Sequence, residues 1–246
     1  MSSQTDPPPG RQRRATRATR ARILQAARQE LGRNPDSSLG DIAEAAGVAR
    51  RTLYTHFAGR AALVEGLARE AAEAVRLAIA ATRTSGPDPT STLGTDLGSE
   101  PGADPTSALA RFVLTLWPVG DCYRTLIDLA GRDLGPGQVR EVLAPARETV
   151  AGILAEGRRQ GVFHAAVPPG PLSSAIEAHL LTLLAAVNSG LWADDGTGAA
   201  TAALIAAGVD GDTAAATVRR LHGAERLDRP DRPDRTHRNH GPTGPH

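Results

Sequence analysis

Lysine, cysteine and aromatic residues are absent or scarce in this sequence. It has no lysine, so all 28 basic residues are arginines, which stay charged at physiological pH and bind phosphates through a rigid fork of donors. The single cysteine, Cys122, excludes an intramolecular disulfide framework and is typical of a reducing cytosol. Aromatic residues make up only 3% of the chain, so alanine, leucine and valine must form most of its core.

Long hydrophobic runs are missing as well. The segment Met1–Arg22 is polar and basic, which predicts no signal peptide. The most apolar stretch, Ala175–Trp192, is interrupted by Glu177, His179 and Asn188, which favours a core helix over a membrane span. We therefore expect a cytoplasmic protein that has no membrane partner.

Charge is distributed unevenly along the chain. Residues 11–60 hold 11 arginines and four acidic residues, a net charge of +7, whereas the rest holds 17 arginines and 23 acidic residues, a net charge of −6. A basic N-terminal end on an otherwise acidic chain indicates a polyanionic partner for that end.

Hydrophobic residues recur with the period of a helix, and no strand-like alternation interrupts them, so the sequence predicts an all-α fold. We divide the chain into a disordered basic arm (1–14), a three-helix DNA-binding domain (15–61), a C-terminal helical domain that a long helix joins to it (62–223) and a disordered tail (224–246). Within the C-terminal domain, residues 84–106 are rich in Pro, Gly, Ser, Thr and Asp and predict a flexible linker or surface loop.

Prolines and glycines divide the predicted C-terminal helices from one another. Pro145 should either bend the helix that contains it or begin a new one, and Asp212 should cap the last helix. The predicted helices are Ala108–Trp117, Asp121–Asp133, Gln138–Gln160, Leu172–Leu191, Ala199–Ala207 and Thr213–Leu221.

The segment Leu39–Phe57 has the pattern of a helix-turn-helix. Ser38 precedes Asp41 by three residues, an acidic variant of the capping box at the start of the first helix. Gly47 is placed for the tight turn before a second helix over residues 50–56. The residues predicted to make the turn and the core are Ile42, Ala43, Gly47, Val48, Leu53 and Phe57.

The same pattern leaves a polar face on the second helix, which would lie in the major groove of DNA. Arginine, threonine, tyrosine and histidine can donate hydrogen bonds to phosphates or to base edges. The residues of this face are Arg50, Arg51, Thr52, Tyr54, Thr55 and His56.

Three short motifs carry a resemblance to a known family. The runs Arg22-Ile-Leu-x-Ala-Ala-Arg28, Asp41-Ile-Ala-x-x-Ala-Gly-Val48 and Thr52-Leu-Tyr-x-His-Phe57 resemble the TetR/AcrR family of repressors, in order and at matching spacing. The resemblance covers roughly residues 16–66. It implies an all-helical homodimer with one DNA-binding domain per subunit and a variable C-terminal domain for ligand binding and dimerisation.

The resemblance also implies roles for individual residues. Thr52, Tyr54 and His56 would contact mostly phosphates, and Arg60 occupies a position where the family often has a phosphate-binding lysine. Ala49 and Arg51 stand where the family commonly has serine and glycine, so the helix loses a capping hydroxyl and gains a guanidinium.

From the residues and the resemblance together, we expect a ligand-responsive repressor that binds a near-palindromic double-stranded DNA operator. Arg50, Arg51 and Thr55 are the candidates for base readout. The segment Arg11–Arg22, with six arginines, either contacts phosphates or is a solvated basic tail. A constitutive DNA-binding protein without an effector, and a helical enzyme, remain as alternatives.

The second half of the chain is less informative. Bulky or polarisable residues are candidates for lining a pocket, although plain core is the favoured explanation for each of them. The apolar helices over 172–191 and 199–207 form either a dimer interface or the interior of one subunit. No phosphate-binding loop, nucleophile elbow or metal-ligand spacing occurs, so we expect no enzyme, cofactor or metal site. The pocket candidates are Phe112, Trp117, Cys122, Tyr123 and His179, with Phe163 and Trp192 as further bulky residues.

Overall fold

A computed structural model describes residues 9–84, 104–133 and 135–227. Over these ranges the chain forms nine α-helices and no β-strand, as the sequence predicts. The helices are α1 Pro9–Arg33, α2 Leu39–Ala45, α3 Arg50–His56, α4 Arg60–Thr84, α5 Pro105–Asp133, α6 Pro136–Arg159, α7 Pro169–Asn188, α8 Thr197–Ala206 and α9 Gly211–Leu227.

The first helix begins earlier than expected. We predicted disorder over residues 1–14, but residues 9–14 belong to α1, while residues 1–8 lie outside the described ranges. Pro9 occupies the first helical position, where its missing N–H has no intrahelical partner to lose. The arginines that follow are good helix formers, so the basic segment becomes part of the helix.

The helix-turn-helix follows its sequence pattern closely. The Ser38 Oγ accepts from the Asp41 N–H at 3.2 Å, and the Asp41 carboxylate accepts from the Ser38 N–H at 2.8 Å, which completes the capping box. Gly47 has φ +62°, a conformation that a side chain would strain, so it makes the turn between α2 and α3. Ala49 lies at the N-cap of α3 and supplies no side-chain hydrogen bond.

Buried side chains form two hydrophobic cores that meet along α4 and α5. The N-terminal core contains Ile42, Leu53 and Phe57 of the helix-turn-helix, together with the first half of α4 and residues of α5. The C-terminal core contains the second half of α4 and α5 to α9. The α5 residues that complete the N-terminal core are Tyr123, Leu126 and Leu129. Packing of the DNA-binding domain therefore depends on residues far beyond position 61.

Two prolines lie inside continuous helices, one in a predicted gap between helices and one where we expected a bend or a new helix. Residues 108–117 and 121–133 were predicted as separate helices, but α5 runs unbroken through Pro118. Likewise α6 is one helix through Pro145, and the Thr149 hydroxyl donates to the Pro145 carbonyl at 2.9 Å. Because α5 packs against α4, α6, α8 and α9, tertiary contacts outweigh the cost of each proline.

The last helix also differs from its prediction at both ends. Asp210 rather than Asp212 caps α9, since its carboxylate accepts from the N–H groups of Asp212 and Thr213 at 3.1 and 3.2 Å. The helix continues to Leu227, so its last residues belong to a segment that we predicted as disordered tail from residue 224. Residues 228–246, and residues 85–103 of the segment predicted as a linker or loop, lie outside the described ranges.

Among the described helices, α7 is long and apolar enough, by length and composition, to cross a membrane. Leu172, Ile176 and Leu184 of this helix are buried in the C-terminal core, and Glu177 forms an ion pair with Arg147 of α6. Core helices pass the same test, and these contacts agree with the expectation of a core helix.

Candidate functional site

The outer face of α3 carries most of the polar residues that the sequence assigns to DNA contact. Arg51, Tyr54 and Thr55 are exposed, Tyr54 by 55%, and Thr52 and His56 are half-buried. The Thr55 hydroxyl donates to the Arg51 carbonyl at 2.9 Å, which leaves its oxygen lone pairs outward. Leu53 and Phe57 point the opposite way and are 0% and 2% exposed. Burial of this apolar face holds the polar face toward solvent.

Arg50, the first residue of α3, is exposed, and its guanidinium lies close to α2. A Cβ atom added to Gly40 would fall 2.6 Å from its Nη2 atom, so the guanidinium packs over the backbone of α2. Hydrogen bonds from Ser38 lower the pKa of Asp41, and the nearby Arg50 charge lowers it further. Arg50 is thus placed at the seam between the two helices, beside the face that Arg51 and Thr55 present.

Arg60 has a different set of partners from the one that the sequence suggests. We expected it to bind a phosphate, but its guanidinium donates to the Pro35 carbonyl at 2.6 Å and the Ser37 carbonyl at 3.0 Å, and to Asp133 Oδ2 at 3.1 Å. These contacts tie the start of α4 to the α1–α2 loop and to the end of α5. Sequence spacing cannot reveal such partners, since Asp133 lies 73 residues away.

The N-terminal half of α1 carries a basic surface. The exposed arginines of this surface include Arg13, Arg14, Arg17 and Arg22. Arg20 lies on the adjoining face, with its guanidinium carbon 4.8 Å from the centre of the Phe57 ring. Since Phe57 directly follows α3, this cation–π contact holds α1 beside the C-terminal end of the recognition helix.

Arg28 connects α1 to the C-terminal half of the chain. Its Nη1 atom donates to the Tyr123 hydroxyl of α5 at 3.3 Å and pairs with Glu70 of α4 at 3.5 Å. The guanidinium carbon also lies 5.3 Å from the centre of the Tyr123 ring. Burial raises the pKa of Tyr123, and the Glu70 charge adds to this effect while Arg28 opposes it. Sequence reasoning did not single out Arg28 or Glu70, because their contacts are formed by packing of distant helices.

A cavity of about 150 Å³, partly open to solvent, lies between α4, α5, α6 and α7. Three of the predicted pocket residues, Phe112, Trp117 and Tyr123, line it. Cys122 and His179 do not line it, and both are exposed. The expectation that these two are buried is wrong, because both lie on outward faces of α5 and α7.

The two remaining bulky candidates support the cavity without lining it. Phe163 is 4% exposed and packs against Gly157, where a Cβ atom would fall 2.1 Å from its ring. Trp192 meets Trp117 edge to face, with ring centres 6.1 Å apart. Asp194, whose carbonyl accepts from the Trp117 Nε1–H at 3.1 Å, holds that ring in the cavity wall.

The polar end of the cavity contains two residues that sequence reasoning missed as pocket residues. Arg147 Nη1 donates to Glu177 Oε1 at 3.3 Å, and each side chain is 18% exposed. Burial raises the pKa of Glu177, while Arg147 and Arg140 oppose this effect. We read Glu177 only as an interruption of an apolar helix; an acidic residue on such a helix is itself a signal of a polar site. No group of three or more His, Cys, Asp or Glu side chains suited to a metal ion occurs among the described residues.

The comparisons with known proteins agree with this geometry. Residues 23–67 match the family model of the bacterial regulatory proteins, tetR family. Over 74 residues the chain is 43% identical to the HTH-type transcriptional repressor LfrR of Mycolicibacterium smegmatis. This alignment covers 30% of the chain and spans 39% of that relative's own length.

Solved structures of related regulators share the fold over most of the chain. The TetR-like regulator LfrR from Mycobacterium smegmatis, in complex with proflavine, is 24% identical with a TM-score of 0.55, over 77% of this chain and 94% of that chain. The fatty acid degradation regulator FadR from Bacillus halodurans is 17% identical with a TM-score of 0.58, over 83% of this chain and 97% of that chain. The all-helical architecture therefore extends well beyond the aligned N-terminal segment.

Proposed function

We propose that the chain is a member of the tetR family of bacterial regulatory proteins, whose family model matches residues 23–67, and that it is a sequence-specific DNA-binding transcription regulator. It acts as a homodimeric repressor that binds a near-palindromic operator and releases it when a small molecule fills the C-terminal cavity. The observation that carries the DNA-binding part is the outward polar face of α3, and the exposed arginines of α1 add positive charge to the same end of the chain.

Residues of α3 have distinct roles in this proposal. Arg51 and Thr55 are exposed at the centre of the outward face and read base edges in the major groove. Thr52, Tyr54 and His56 contact phosphates and set the orientation of the helix on the duplex. Arg50, at the seam with α2, reaches bases only if its guanidinium leaves Gly40.

DNA binding is tested by selecting an operator from a random duplex library and measuring its affinity by fluorescence anisotropy. Loss of a bidentate base contact is worth about 1–3 kcal/mol, so Arg51→Ala should weaken operator binding roughly 5- to 150-fold. Arg159→Ala, which removes an exposed arginine of α6, is the matched control and should leave the affinity unchanged. Equal effects of the two substitutions, or failure of the selection to enrich any sequence, would refute the assignment.

A second copy of the chain is the proposed partner for the outward face of α7. Small residues line that face, whereas α8 is largely internal, with Ala199, Ala203 and Leu204 at 0% exposure. Small residues let two helices approach closely, and two recognition helices in fixed relation suit repeated half-sites. The exposed residues of the α7 face are Ser174, Ala175, Ala178, His179, Thr182 and Ala185.

The dimer is tested by light scattering of the intact chain and of Ala178→Arg, with Arg124→Ala on the exposed surface of α5 as control. The wild-type chain and the control should have twice the mass of one subunit, and Ala178→Arg should have the mass of one. A monomeric wild-type chain, or a dimeric Ala178→Arg variant, would contradict the proposed interface.

The contact between Arg28 and Tyr123 connects the cavity to the DNA-binding domain. Tyr123 lines the cavity, and its hydroxyl accepts from Arg28 of α1, the helix that stacks on Phe57 through Arg20. A ligand that displaces the Tyr123 ring would therefore shift α1 relative to α5. Such a ligand favours one of two states that differ in DNA affinity, which is the requirement for allosteric release.

A further inference from the structure

One carboxylate oxygen at the polar end of the cavity has no hydrogen-bond donor among the described residues. Glu177 Oε1 accepts from Arg147, but Glu177 Oε2 is shielded from solvent and accepts no hydrogen bond. A buried acceptor that lacks a donor carries a desolvation cost that a new donor would remove. The terminal torsion of a glutamate is broad, so the carboxylate can turn Oε2 toward the cavity that Glu177 lines.

Most of the other polar side chains of the lining are already engaged by the protein, and the Gln138 side chain also lines the cavity. The Ser173 hydroxyl donates to the Arg147 carbonyl at 2.7 Å, and the Trp117 Nε1–H donates to Asp194. The Tyr123 hydroxyl accepts from Arg28. Most of the remaining wall is aliphatic or aromatic, from residues such as Phe112 and Leu180. A ligand that fits this wall is therefore mostly apolar and carries one donor at the Glu177 end.

The charges around Glu177 favour an uncharged donor over a cation. Arg147 is paired with the carboxylate at 3.3 Å, and the Arg140 charge also acts on it. Arg147 already compensates much of the carboxylate charge, so an ammonium group placed on Oε2 would gain less attraction than it would beside an unpaired carboxylate. An anionic ligand would be repelled by the negative charge of the Glu177 carboxylate. A hydroxyl group avoids both penalties and supplies the missing hydrogen bond.

We propose that the ligand of this cavity is an uncharged, mostly apolar molecule whose hydroxyl group, of a phenol or an alcohol, donates to the Glu177 carboxylate. This inference rests on the proposed function in one respect, namely that the cavity is the effector site. It adds the chemical class of the effector and the residue that selects it.

The test compares three probes of matched size on the unmodified chain by titration calorimetry: 4-hexylphenol, its methyl ether 4-hexylanisole, and 4-hexylbenzylamine, which is protonated at pH 7. Hydrogen bonds to a charged group imply that the phenol binds about 10- to 100-fold more tightly than the ether, which lacks the donor. The ammonium probe should bind more weakly than the phenol. Equal binding of phenol and ether, tighter binding of the ammonium probe, or binding of none of the three would overturn the proposal.

Two substitutions locate the effect at Glu177. Glu177→Leu should reduce the affinity for the phenol to that for the ether and leave the ether's affinity unchanged. Glu148→Leu, at an exposed position of α6, is the matched control and should change neither. A Glu177→Leu variant that folds and retains the preference for phenol would exclude Glu177 as the selecting residue. If that variant does not fold, the three probes on the unmodified chain decide the matter.

Failure of this inference is distinguishable from failure of the proposed function. If the chain binds its selected operator but none of the probes, the ligand class is refuted and DNA binding stands. If the phenol binds with the expected preference but does not lower operator affinity, the ligand class stands and ligand-responsive repression is refuted.

Discussion

Replacing Arg60 by alanine distinguishes a structural role from a DNA-binding role for that residue. Its guanidinium donates to two backbone carbonyls, of Pro35 and Ser37, and pairs with Asp133. The Arg60 and Asp133 side chains are 33% and 25% exposed, so the ion pair is partly screened and contributes about 0.5–1 kcal/mol. The two charge-assisted bonds to carbonyls together add about 1–1.5 kcal/mol after the same discount for exposure. Arg60→Ala should therefore lower the free energy of unfolding by about 2 kcal/mol.

Differential scanning calorimetry of the intact chain measures this effect. A loss of about 2 kcal/mol in a chain of this size corresponds to a decrease in Tm of roughly 4–8 °C. Arg60→Lys should recover only part of the loss, because one ammonium group cannot reach three acceptors in different directions. Asp133→Asn should have the smaller effect of the ion pair alone, and its combination with Arg60→Ala should be less than additive.

Measurements of operator binding test the alternative, namely that Arg60 contacts DNA. Arg60 would be a DNA ligand if Arg60→Ala left Tm unchanged but lowered the operator affinity. In that case the slope of log affinity against log salt should also decrease by the amount expected for about one phosphate contact. Full rescue of both by Arg60→Lys would support the same conclusion, since a lysine binds phosphate equally well as a point charge. Either outcome would refute the structural role.

Three further predictions concern the capping box, the basic end of α1 and the contact between domains. Ser38→Ala should lower the free energy of unfolding, measured by urea denaturation at neutral pH, by about 1 kcal/mol. At acid pH the difference in free energy of unfolding between the variant and the wild type should be smaller. The reason is that hydrogen bonds from Ser38 lower the pKa of Asp41. The stability that these bonds contribute is therefore present at neutral pH and is lost as the pH falls through the lowered pKa. A stability difference that grows in acid would contradict this prediction. Deleting residues 1–14 removes three arginines. If α1 contacts phosphates, the slope of log affinity against log salt should become flatter by roughly 2–3 units. An unchanged slope would reject that contact. Tyr123→Phe removes only the acceptor of the Arg28 bond, so it should retain operator binding but reduce ligand-induced release in anisotropy titrations, and full release would show that coupling does not pass through this bond.

Local patterns explain why the helix-turn-helix was predicted accurately. Ser38 and Asp41 are three residues apart, and Gly47 needs only its own backbone to make the turn. Leu53 and Phe57 lie one helical turn apart, so their shared face follows from periodicity. Each of these features depends on neighbours within four residues, which a single sequence displays directly.

Helix continuity and burial in the C-terminal half were predicted less well. A break was predicted between residues 117 and 121, where α5 is continuous, and Cys122 and His179 were expected to be interior residues. In alanine-rich helices the apolar residues cover more than one face, so periodicity does not show which face is inside. Packing between helices decides that question and can also retain a proline within a helix.

By itself, the sequence determined the all-α class, the turn and the recognition helix, and the basic character of the N-terminal end, because these follow from local spacing and from charge. Only the tertiary structure decided the partners of the long charged side chains. In this structure the side chains of Arg60, Arg28 and Arg147 donate hydrogen bonds to Asp133, Tyr123 and Glu177, respectively. The residues of each pair are at least 30 positions apart in the sequence. Arginine and glutamate reach several ångströms from the backbone, so their partners depend on how distant helices pack, and that packing also creates the cavity with its unused acceptor.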